Sequence, residues 1–230
     1  MELWIHHRAS PFVRKALLAG LELGVEWRVR VVDLGSPAAL DAYARVNPNR
    51  RFPALRDGEL VIWESGAILR YLAATRDPAW LGRTPAEAAR VDQWMFWELA
   101  HLGPALLGLQ NARLGFLPKP VKDEDALVAD CERALAVLDG GLTGRRYLAG
   151  DAITVADLAV ASLFTYAEEA SLVPPGYDAI TRWLAALRER DSWRATERMK
   201  REALAAYGID LSTRRAPVER GSLDAAERGG

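Results

Sequence analysis

One cysteine, Cys131, stands alone in 230 residues, which excludes an internal disulfide and any CxxC redox pair. Three histidines (His6, His7 and His101), with no HExxH spacing, leave no basis for a protein-ligated zinc site. Lysine is confined to Lys15, Lys119, Lys122 and Lys200 while arginine is abundant, which reads as a coding bias without chemical meaning. No apolar run is long enough to cross a bilayer. The start "MELWIHHRAS" lacks a basic segment followed by a long apolar core, so the chain reads as cytoplasmic, without a signal peptide. The formal charge of −1 provides no global field to recruit nucleic acid or an anionic membrane.

What remains is half apolar and 27% charged, the profile of a globular protein. The length suits one large domain or two small ones. "ELWIH" (2–6) alternates as a strand, and "PFVRKALLAGLELG" (11–24) has helical spacing with Pro11 in its first turn. "VEWRVRVVD" (25–33) is a second strand, and Ser36 caps a short helix over 36–47. "FPALRDGELVIW" (52–63) folds two strands around Asp57-Gly58, and "ESGAILRYLAATR" (64–76) returns to helix. The order β-α-β-α-β-β-α predicts two right-handed parallel crossovers followed by an antiparallel hairpin.

After Arg76 the pattern changes. Residues 77–85 read as a Pro- and Gly-bearing linker, and 86–207 show helical patterns alone, at 85–110, 123–140, 154–170, 178–190 and 192–206. A strand-containing domain over 1–76 and an all-helical second domain follow. The polar tail, 208–230, is expected to be disordered.

Two stretches of the first half raise chemistry. In "RRFPAL" (50–55), Pro53 either opens an edge strand as a trans proline or is cis, which exposes the backbone of Phe52 to a ligand. Its place after β-α-β-α favours cis, as in the thioredoxin-like fold. In "WESGAILRYL" (63–72), Glu64 and Ser65 either cap the helix or use its N-terminus to hold a carboxylate, with Glu64 facing an ammonium group. Together these would suit the α-amino acid end of a ligand.

With these motifs in this order, residues 1–207 resemble the glutathione transferase superfamily: a thioredoxin-like α/β domain followed by an all-helical one. The resemblance implies that glutathione is the co-substrate, with no metal, and that the chain forms a homodimer. It also implies that Glu64 and Ser65 hold the γ-glutamyl end, that Phe52 pairs with the cysteinyl part beside Pro53, and that Arg50 or Arg51 faces the glycine carboxylate. The sulfur would meet Ser10, just ahead of Pro11.

Ser10 has two readings, a helix cap or a hydroxyl that donates to the thiolate, the nucleophile in this chemistry. Phe12 stands where some bacterial members carry a polar or sulfur-containing residue, which leaves the activating group open. His7 and Arg8 offer positive charge nearby, although such loop residues are commonly solvated. No cysteine lies near Ser10, so mixed-disulfide chemistry is excluded, and the Ser-Ser-Cys run of the zeta-class isomerases is absent. Cys131 reads as buried packing.

"WMFWELAHLGPALLGL" (94–109) supplies core or interface aromatics. By the family's pattern, Trp97, His101 and Leu107 join Phe12 in a pocket for a hydrophobic electrophilic small molecule. "GDAITVADLAVAS" (150–162) holds a Thr154–Asp157 capping box with an Ile153–Leu158 staple, which makes Asp157 a folding residue. The expected function is a transferase that adds the glutathione thiolate to an electrophilic or peroxidic molecule. Two alternatives stand beside it. One is a non-catalytic interaction module like the bacterial stringent starvation protein, and the other is a glutathione-dependent reductase or dehalogenase.

Overall fold

A computed structural model describes residues 1–7, 9–116, 122–206 and 208–211; Arg8 and the tail beyond 211 lie outside the described residues. The first half holds β1 (Glu2–Ile5), α1 (Pro11–Glu22), β2 (Arg28–Val31), α2 (Pro37–Ala44), β3 (Ala54–Asp57), β4 (Leu60–Trp63) and α3 (Ser65–Arg76). Alternation on β1 buries Leu3 and Ile5 completely, against Val13, Leu17, Ile68 and Leu72 from α1 and α3. A smaller apolar cluster, Val32, Tyr43 and Ala54, holds α2. Gly58 turns the β3–β4 hairpin at φ +58°, a conformation that glycine adopts without steric cost.

The sheet order is β2-β1-β3-β4. β1 and β2 run parallel, with Leu3 opposite Val29, whereas β3 is antiparallel to β1 and β4 antiparallel to β3. One parallel crossover is therefore present where the sequence suggested two. The reason lies in the second connection, which stays at one end of the sheet: α2 and the loop after it need not travel back before β3 begins. The ends of β1 and β4 and the start of β3 consequently share one edge. Every glutathione-contact residue nominated from the sequence sits on that edge.

The second half holds α4 (Pro85–Trp97), a π-helical turn (Glu98–Leu102), α5 (Gly103–Leu114), α6 (Glu124–Leu142), α7 (Val155–Ser162), α8 (Asp178–Arg188) and α9 (Asp191–Ala206). The π turn has a local cause, because Pro104 has no N–H to give the carbonyl four residues back. The helix expected over 154–170 stops at Ser162 and tightens into a 3₁₀ turn (Leu163–Tyr166), with Phe164 at φ −87°, ψ 20°. Hydroxyls compete with the helix there: Ser162 Oγ donates to the Leu158 carbonyl at 2.6 Å and Thr165 Oγ1 to the Ser162 carbonyl at 2.5 Å.

Asp157 is fully buried and accepts hydrogen bonds from Leu148 N, Thr154 N, Thr154 Oγ1 and Trp183 Nε1 at 2.9 to 3.1 Å. That is the folding role expected of it.

Helix α1 ties the halves together. Lys15 Nζ lies 2.6 Å from Glu98 Oε1 with both side chains buried, and Arg14 pairs with Glu197 at 3.0 Å. Glu22 accepts hydrogen bonds from Arg190 and Ser192. Among the described residues no helix is long and apolar enough to cross a membrane.

Candidate functional site

At the shared edge lie two adjoining cavities of about 630 Å³ each. The first brings together Ser10, Arg50, Arg51, Phe52, Pro53, Glu64 and Ser65, with Asn47 beneath. The second opens toward the helical half and includes Phe12, Leu107, Gln110, Phe116, Tyr166 and Leu204. His6, Ser10, Phe12 and Leu34 line both, so Ser10 stands at the junction.

Ser10 occupies the N-cap position of α1, and its carbonyl accepts from Arg14 N at 2.8 Å, yet its side chain makes no cap hydrogen bond. Ser36, Thr84 and Asp123 do cap their helices, accepting from Ala39 N, Glu87 N and Ala126 N. A residue type that caps well is thus spared from capping here, in the wall of two cavities. Its neighbour is pinned from both sides. Ala9 N donates to His7 Nδ1 at 3.1 Å, and the Tyr166 hydroxyl donates to the Ala9 carbonyl at 2.7 Å.

Glu64 behaves likewise. It is the N-cap of α3, makes no cap hydrogen bond and leaves its carboxylate exposed. Its φ of +73° is rare for a residue with a side chain, and such backbone costs about 1–3 kcal/mol where the surroundings enforce it. Ser65, the first residue of α3, is buried beside it.

The loop between α2 and β3 is held firmly. The Arg51 carbonyl accepts from the Tyr43 hydroxyl at 2.6 Å and from Asn47 Nδ2 at 2.7 Å. The Phe52 ring stacks on Tyr43 at 4.2 Å between centroids, and the Phe52–Pro53 peptide is cis. Burial pushes the Tyr43 pKa up to about 12, so this donor stays protonated. Of the two exposed arginines, Arg50 meets Asp41 at 3.1 Å, and Arg51 has no ion pair among the described residues.

His6 closes the shared wall, its ring 4.9 Å from Phe52 and 3.9 Å from His7 between centroids. Burial, aided by the neighbouring His7, lowers its pKa to about 4. It is a neutral imidazole at physiological pH.

Of the four residues nominated for an acceptor pocket, Phe12 and Leu107 line the second cavity, whereas Trp97 and His101 do not. They line a neighbouring groove of about 590 Å³ with Pro104, Leu127, Ala134 and Val137, and Asn111 borders both spaces. Helical phase explains the division. Residues 97, 101, 104 and 108 fall on one stripe facing α6, while 107 and 110 fall on another facing Ser10. The π turn also buries Glu98 toward Lys15.

Cys131 is buried packing, its Sγ donating to the Ala105 carbonyl at 3.1 Å, and burial pushes its thiol up to about 12. Among the described residues no three His, Cys, Asp or Glu side chains group as a metal site.

Sequence reasoning missed Asn47, Tyr43, Gln110 and Tyr166. Gln110 did carry a signal, as an uncharged polar residue within the apolar stripe "LLGLQ". Tyr166 carried none, because its partner lies 157 residues away.

Comparison with known proteins gives a consistent result. The family models for the glutathione S-transferase N-terminal and C-terminal domains match residues 9–75 and 105–191. The chain is 32% identical to glutathione S-transferase GstB of Escherichia coli K12, over 84% of this chain and 95% of that protein. It is 30% identical to the probable elongation factor 1-gamma 1 of Arabidopsis thaliana over 69% of this chain, and spans 39% of that protein's length. Among solved structures, the theta class glutathione S-transferase of Xanthomonas axonopodis pv. citri, with glutathione bound, superposes with a TM-score of 0.72. That pair is 30% identical, covering 85% of this chain and 95% of the other.

Proposed function

The chain belongs to the glutathione S-transferase family, and we propose that it binds glutathione in the first cavity and adds its thiolate to an apolar electrophile in the second. The observation that carries this reading is the pair of helix N-termini, at Ser10 and Glu64–Ser65, whose side chains leave their helices uncapped and line one cavity.

Charge supports the reading. Glutathione at neutral pH carries two carboxylates and one ammonium, and the cavity offers two guanidiniums and one carboxylate, the complementary set. Glu64 faces the ammonium; Ser65 and the amides of α3 face the α-carboxylate. Arg51 takes the glycine carboxylate, with Arg50 beside it. The Phe52 backbone, aligned by the stacked Tyr43, pairs with the cysteinyl unit.

The chemistry then falls to Ser10. A thiol of pKa ~8.5 is only a few per cent ionised at neutral pH, and lowering it by ~2 units takes ~2.7 kcal/mol of preferential thiolate stabilisation. A hydroxyl donating to sulfur, together with the N-terminal end of α1, is of the right size for this. The thiol proton leaves to solvent, Ser10 keeps its own, and the sulfur forms its bond to carbon in the adjoining cavity. The rate gain comes from thiolate formation and from holding both reactants across one wall.

The reading includes a cytoplasmic homodimer, for which exposed Trp63, Phe96 and Leu99 offer apolar surface to cover. Calorimetric titration with glutathione tests the first step. Glu64→Gln should weaken binding about tenfold by losing the ammonium partner; an unaffected Glu64→Gln variant would place the tripeptide elsewhere.

A further inference from the structure

Residues 6–9 join β1 to Ser10, and one backbone donor in that passage is answered by a side chain two residues back. Ala9 N lies 3.1 Å from His7 Nδ1. The arrangement repeats the Asx turn, in which an asparagine or aspartate oxygen accepts from the N–H two residues on. Asp33 with Gly35, Asn47 with Asn49 and Asp77 with Ala79 form the ordinary version in this same chain. At residue 7 the acceptor is instead an imidazole nitrogen, which titrates far closer to neutrality than a carboxylate. A backbone N–H only donates, so Nδ1 must accept and the ring proton sits on Nε2. A proton arriving at Nδ1 turns that acceptor into a second donor, aimed at the Ala9 N–H. The hydrogen bond is then lost, and ring and backbone repel each other.

We propose that His7 is a positioning residue for Ser10 that works only as the neutral ring, so that a proton on Nδ1 releases Ala9 and disarms the site. The inference rests on the glutathione reading and adds to it a regulation by acidity. The Ser10 side chain makes no cap hydrogen bond that would fix it to α1. Its hydroxyl direction therefore depends on Ala9, which is held at its N–H by His7 and at its carbonyl by Tyr166. Among the described residues, three titratable groups surround the His7 ring. His6 meets it edge-on at 3.9 Å between centroids, and solvent-exposed Asp33 and buried Tyr166 line the second cavity with it. Burial holds the His7 pKa below its ordinary value, so at physiological pH the ring is neutral and the bond intact. As pH falls below the ordinary histidine value of ~6.5, the ring takes up its proton and Ser10 loses alignment. His6, lowered to about 4, protonates later in the same descent.

The test follows conjugation of glutathione to a nitro-activated aryl chloride, at saturating glutathione, in the wild type, His7→Leu and His7→Asn. At neutral pH His7→Leu should lower kcat about three- to tenfold, with KM for glutathione little changed. His7→Asn should recover most of that loss, because its side-chain oxygen accepts from Ala9 N as in the other Asx turns. In acid the asparagine variant and the wild type should part. Thiol protonation alone gives log kcat a slope of about one against pH, and a second proton, on His7, steepens it toward about two. His7→Asn should keep a slope near about one. Nuclear magnetic resonance of the ¹⁵N-labelled protein reads the bond without turnover. The Ala9 amide signal should titrate with the His7 ring in the wild type and stay flat in His7→Asn. Three results would each overturn the proposal and leave the glutathione reading intact: a His7→Asn variant as slow as His7→Leu, a wild-type acid limb no steeper than that of His7→Asn, or an Ala9 amide that ignores the ring. So does a loss confined to KM for the aryl chloride, which makes His7 a wall of the second cavity and nothing more. A wild type that conjugates nothing, with glutathione titrating as it does in free solution, overturns both.

Discussion

The Tyr166 hydroxyl donates to the carbonyl of Ala9 at 2.7 Å, so a side chain of the helical half fixes the peptide that precedes Ser10. Its ring is held in turn by Phe116, edge-on at 5.2 Å, and by Lys200 Nζ, 5.3 Å from the ring centroid. With Ala9 N bound to His7, the approach of Ser10 to the cavity junction is set by residues from both halves.

Tyr166→Phe removes only that hydroxyl. The expected result is a fall in kcat of about three- to tenfold with a much smaller change in KM for glutathione, because Ser10 loses its alignment while the Glu64–Ser65 end stays intact. The unfolding free energy should fall by about 1 kcal/mol. Steady-state kinetics with a urea melt separates the two effects. A change confined to KM would assign Tyr166 to binding instead.

The Lys15–Glu98 pair joins α1 to the π turn with both partners buried. Removing one partner strands the other charge in an apolar interior, so Lys15→Met should cost about 3–5 kcal/mol. The combination Lys15→Met with Glu98→Leu should recover most of that loss, since a matched apolar pair avoids the desolvation of two charges. Denaturant melts of the four proteins in the cycle measure the coupling. Equal losses in the single and double variants would show that the helix junction, not the charge pairing, carries the energy.

His6 gives stability a pH dependence of known sign. Its folded pKa is lowered to about 4 by burial and by His7, whereas an unfolded histidine titrates near ~6.5. Between those values the unfolded chain binds the extra proton, so stability declines as pH falls across the window and is retained above it. Melts at a series of pH values should show a shallower decline for His6→Asn than for the wild type. Parallel profiles would mean that other groups set the slope.

Much of the fold was legible because its signals are local. Pro11 and Pro37 open helices, the Asp57-Gly58 signal marks a hairpin whose turn residues are Gly58 and Glu59, and Thr154 with Asp157 announces a capped helix. The direction of β3 was not, since it depends on where the connection through α2 ends rather than on any residue in it. The first cavity could be named because its parts sit at element boundaries, where composition is distinctive. The second could not: Trp97, His101 and Leu107 are near neighbours in sequence, and only helical phase across the π turn separates them. Gln110 and Tyr166 acquire meaning from what faces them across the interface.

The central claim is that Ser10 holds glutathione as a thiolate. Ultraviolet titration of the thiolate absorbance against pH, with saturating protein, tests it directly. The account predicts a bound thiol pKa lowered by about a unit or more from ~8.5, and a return most of the way in Ser10→Ala with glutathione still bound. A thiol that titrates in the complex as it does in free solution, or a depressed pKa unchanged in Ser10→Ala, would contradict it.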